Sequence, residues 1–69
     1  MVVYVQSRGP FRYKITGDNA ELAAQEFESR MNVIYESDLN GPEIAESIYY
    51  LRKELISRFG VLISIHGPA

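Results

Sequence analysis

The chain has no cysteine and no tryptophan, a single histidine, and no acidic residue before Asp18. Without cysteine there is no disulfide and no thiolate chemistry, and His66 alone cannot assemble a zinc site of the usual His/Cys kind. Asp38 and Glu43 flank a loop but lack the ligand count of a calcium loop, so no metal is expected. No apolar run approaches the length that spans a bilayer, and the start, Met1-Val-Val-Tyr-Val5, lacks the basic leader and apolar stretch of a secretory signal. The expectation is a cytoplasmic protein with no membrane partner.

Catalytic and cofactor patterns are also missing. Gly9, Gly17, Gly41, Gly60 and Gly67 each mark an element boundary and form neither a Walker nor a Rossmann pattern. The serines lie in no nucleophile-elbow or triad context, and His66 has no acid at a diagnostic spacing. A non-enzyme without a cofactor is therefore expected. There is no repeat, linker or low-complexity segment, which leaves residues 1–69 as one compact domain. A core of this size leaves roughly 3–5 kcal/mol of net stability, so self-association is a plausible reinforcement.

What the chain does have is charge sorted along its length. Met1 to Gly17 carries Arg8, Arg12 and Lys14 for a net +3, Asp18 to Ser47 is net −7, and the remainder is net +2. The overall −2 hides two opposed fields on a body about 25 Å across.

Val2 to Arg8 alternates with the period of a strand, Gly9-Pro10 breaks it, and Phe11, Tyr13 and Ile15 alternate again. The pattern predicts a β-hairpin with Val3, Val5, Phe11, Tyr13 and Ile15 on its core face and the basic residues on the other. Asp18 is placed to cap a first helix with Glu21 completing a capping-box spacing. Ala20, Ala23, Ala24, Phe27 and Met31 form that helix's buried stripe, and Asn32 offers a left-handed stop. Val33-Ile34-Tyr35 reads as a short strand by composition, or else as more of the helix. Pro42 opens a second helix whose stripe is Ile44, Ile48, Leu51, Leu55 and Phe59, closed by Gly60. A last strand, Val61 to His66, follows and is apolar enough to be central.

The fold expected is α/β (α+β), a two-layer sandwich in the order β-β-α-β-α-β with two helices on one face of a three- to four-stranded sheet. If residues 33–35 are helical, the order becomes β-β-α-α-β with three strands.

Three surfaces are candidates for function. The acidic helical side, with Glu21, Glu28, Glu43 and Glu46, would attract a basic protein partner, and a regulator or inhibitor docking in this way is the leading expectation. Such composition is common among small phage and plasmid products, which is an association only. The open sheet face, with Tyr4, Gln6, Arg12, Lys14, Ser64 and His66, would bind RNA or single-stranded DNA; Tyr4, Arg8, Arg12 and Lys14 are its key residues, with Arg58 a further cation. Tyr49 and Tyr50, on the flank of the second helix, would suit a homodimer interface, as would an exposed strand edge.

Overall fold

The two alternating segments form β1 (Val2–Gln6) and β2 (Phe11–Thr16), the two amphipathic segments form α1 (Ala20–Glu36) and α2 (Gly41–Phe59), and the apolar tail forms β3 (Leu62–Pro68). This computed structural model describes residues 1–9 and 11–68. The expected break at Gly9-Pro10 and the expected end at Gly67-Pro68-Ala69 therefore lie in part outside the described residues, at Pro10 and Ala69. β3 itself runs beyond His66 to Pro68.

The three strands pair antiparallel in the order β1-β2-β3, which makes an α+β fold. The topology follows from the helices. A chain that crosses a sheet twice, out along α1 and back along α2, returns to the end it left, so Leu62 pairs with Thr16 and β3 must run antiparallel to β2. The order is β-β-α-α-β, not β-β-α-β-α-β, and there are three strands. With no parallel pair there is no handed crossover, and the apolar last strand is an edge because the β1 hairpin leaves β2 central.

Residues 33–35 are the last turn of α1. Their strand-like composition is overruled by packing, since Ile34 and Tyr35 lie against the core, and by the cap. The Ser37 N–H donates to the carbonyls of Val33 and Ile34, and its hydroxyl donates to Val33 at 2.7 Å. Asn32 is accordingly helical and not a left-handed stop. At the other end the N-cap is Asn19 and not Asp18, and it caps without its side chain. That amide donates instead to the Phe59 carbonyl at 3.1 Å, satisfying an orphan acceptor at the end of α2 and joining the two helix ends. α2 has the fuller cap: Asn40 and Glu43 form a reciprocal capping box on either side of Pro42, and Gly60 closes the helix at φ 67°.

The core lies between the helical layer and one sheet face. Val5, Tyr13, Ile15, Val61 and Ile63 meet Ala20, Ala23, Ala24, Phe27 and Met31 of α1 and Ile48, Leu51 and Leu55 of α2. Alanines at the start of α1 permit close approach to the sheet, and Phe27 fills the centre, edge-on to Tyr13 at 5.1 Å. The expected core positions Val3, Ile44 and Phe59 are half-buried. Phe11, also expected inside, is 42% exposed, and Ile65, on the same side of the sheet, is 47% exposed. Both lie where α2 stands away from the sheet and leaves a groove. The shortest extent of the fold, 15 Å, has room for two layers only, so the second sheet face is uncovered.

Candidate functional site

Because Val5, Tyr13, Ile15 and Ile63 point inward, the intervening residues point to the uncovered face, and the strand register arranges them in rows. Val2, Thr16 and Leu62 make the first row, Tyr4, Lys14 and Ser64 the second, and Gln6 and Arg12 the third. Between Tyr13↔Ile65 and Phe11↔Pro68 the register slips, so β3 sets one extra residue against Arg12. His66 projects from this irregular stretch, and its ring lies 5.0 Å from that of Tyr4, tilted by 54°. An aromatic pair thus joins the two edge strands across the width of the central one. Arg12 is exposed and Lys14 half-buried, and neither belongs to an ion pair among the described residues. No row contains an acid.

Of the residues proposed for nucleic acid, Tyr4, Arg12 and Lys14 share this face. Arg8 does not join them. It lies at the hairpin end, where its guanidinium donates to Glu36 at 3.1 Å, an exposed pair of small energetic worth. Arg58 is on α2, beside Glu26 and Glu54.

The four acids expected to form a docking surface are spread over the helical layer, three at its ends and Glu28 in the middle of α1. α1 and α2 are antiparallel, so Glu21, in the first turn of α1, lies beside the end of α2, whereas Glu43 and Glu46 lie at the start of α2. Nineteen residues of helix separate such ends by about 28 Å. Glu28 is exposed on α1. Glu43 is held by its capping box, accepting from the Asn40 N–H at 3.0 Å. Two other acids of the layer, Glu26 and Glu54, are neutralised. Arg30 makes a two-pronged bond to Glu54 at 3.0 and 3.3 Å and reaches Glu26 at 3.6 Å, while Arg58 lies 3.8 and 3.7 Å from the same two acids. Arg30 holds the Glu54 carboxyl below its usual range, chiefly through this hydrogen bond.

Tyr49 and Tyr50 are both exposed with their rings 5.5 Å apart, but they border different hollows. Tyr50 meets a shallow depression with Leu39, Glu43, Glu46 and Ser47. Tyr49, with the Lys53 ammonium 5.2 Å over its ring, borders the groove left by α2. That groove, of about 370 Å³, runs between Phe11, Tyr13 and Ile65 of the sheet, Ile48 and Arg52 of α2, and Tyr35 of α1. Sequence reasoning missed it. The available signal was Arg52, an arginine set between Leu51 and Leu55 on the flank of an otherwise apolar stripe.

Among the described residues no helix is long and apolar enough to cross a membrane, and no three His, Asp or Glu side chains gather as a metal site would require. No protein-family model matches the chain, nor does any curated protein or solved structure.

Proposed function

We propose that the protein binds single-stranded nucleic acid through the uncovered sheet face. The observation that carries this reading is the Tyr4–His66 ring pair on a face that, among the described residues, holds Arg12 and Lys14 and no acid. A base has a π-face that stacks on such rings without regard to sequence, while the cations meet the phosphates on either side. The net charge of −2 does not oppose this. Asp18 to Gly60 is net −5 and the strands and hairpin are net +3, so a polyanion attracts one side of the molecule and repels the other, which orients the approach.

Fluorescence anisotropy with labelled single-stranded RNA and DNA at low salt tests the reading. Binding should fall with salt at a log–log slope of about −1.4 for two phosphates, and Arg12→Glu with Lys14→Glu should abolish it. Absence of binding at low salt, or binding unchanged by the double reversal, rejects the proposal.

A second reading, docking on a basic protein through the helices, is supported by the depression where Leu39 and Tyr50 are exposed beside Glu43 and Glu46. The two readings separate in the same assay. Glu28→Lys with Glu46→Lys should leave nucleic-acid binding intact or raise it, and should weaken capture of a basic protein partner.

A further inference from the structure

The groove on the opposite side of the sheet from Tyr4 and His66 has its own chemistry. Its volume, about 370 Å³, lies within the roughly 300–1,000 Å³ range of small-molecule sites. Phe11, Ile48, Tyr49 and Ile65 give it apolar walls, and Phe11, Tyr49 and Ile65 are each more than 40% exposed. Among the described residues no acid lines it, and the one charged side chain there is Arg52.

Arg52 is unlike the other arginines of the helical layer. Arg30 and Arg58 are paired with Glu26 and Glu54, whereas Arg52 has no ion pair among the described residues. Its guanidinium lies 6.0 Å from the centre of the Tyr13 ring, and its Nε is buried without a hydrogen-bond partner. A cation drawn into an apolar site carries a desolvation cost that an anion in the same site would offset. Two phenols, Tyr13 and Tyr35, share the wall with it, and burial pushes the Tyr13 hydroxyl above its usual range, which keeps it a protonated donor.

We infer that this groove is a binding site for a hydrophobic carboxylate, an alkyl or aryl monoanion whose chain lies along Phe11, Ile48 and Ile65 and whose carboxylate meets Arg52. The charge of the site selects the head group, and the apolar walls select the tail. The site is independent of the nucleic-acid face.

Titration calorimetry with decanoate below its micelle concentration, and with decan-1-ol of the same chain length, tests the inference. Decanoate should saturate one site and bind at least about tenfold more tightly than the alcohol, the usual weight of a hydrogen bond to a charged group. Arg52→Gln should bring decanoate to the level of the alcohol, Arg52→Lys should retain part of the preference, and Ala45→Phe, which narrows the groove, should weaken both ligands. Equal affinity for acid and alcohol, no saturable decanoate binding, or full binding by a folded Arg52→Gln protein overturns the assignment. Should Arg52→Gln fail to fold, the comparison of the two ligands on the native chain and Ala45→Phe decide the matter. Decanoate should bind undiminished when Arg12 and Lys14 are reversed, so failure here and failure at the sheet face are separable.

Discussion

Tyr13 ties the core to the groove: its ring packs edge-on against Phe27, sits beneath Arg52 and lines the cavity. Burial, with the neighbouring Tyr35, raises its pKa above the ordinary 10.0, and Arg52 only partly opposes the shift. The folded state therefore keeps a proton that the unfolded chain has lost. Tyr13 contributes fully to stability below about pH 10, and that contribution falls as the pH climbs from there through the folded value. Urea midpoints across this window should drop more steeply for the native chain than for Tyr13→Phe; parallel slopes reject the assignment. Tyr35 depends on a different neighbour. A side chain at Gly9 would place its Cβ 2.5 Å from the Tyr35 hydroxyl, so the phenol would have to swing aside to admit it.

At the scale of elements, the end of α1 is the instructive case. Asn32 is exposed and helical, four residues short of the last helical position, Glu36. Asn32→Ala should thus stabilise the protein by about half a kcal/mol from helix propensity, read as a rise in the denaturation midpoint. A left-handed residue would give the opposite sign, because alanine tolerates positive φ poorly. The hairpin and both helical stripes were legible in the sequence because alternation and 3.6-residue spacing report burial directly: Val5, Tyr13, Ile15, Phe27 and Leu55 are all inside. Residues 33–35 misled because β-branched side chains carry a strand signal that tertiary packing can override. The members of the open face were likewise legible from alternation, but the Tyr4–His66 contact was not, since it depends on strand order and on a slip in register. Nor was the groove, which comes from the stand-off of α2 and leaves Phe11 and Ile65 half in water.

For the whole molecule, sorted charge becomes a division between layers, basic strands beneath acidic helices. Within the helical layer Glu26 and Glu54 are paired with Arg30 and Arg58, whereas Glu21, Glu28, Glu43 and Glu46 belong to no ion pair among the described residues. The sheet has two edges, β1 and β3, and the exposed Tyr49 and Tyr50 offer a third surface for a copy of the same chain. A homodimer is the expected state at high micromolar concentration. Sedimentation at the monomer mass of 7.9 kDa would reject it.

The helical hairpin inserted between β2 and β3 also sets the order in which the uncovered sheet face can come into being. Tyr4, Arg12 and Lys14 belong to a local hairpin, whereas Ser64 and His66 arrive from the far end of the chain after both helices. A partially synthesised or truncated chain can display the cations but not the aromatic pair. The Tyr4–His66 contact is therefore a property of the finished fold, and the proposed stacking would depend on a highly non-local contact.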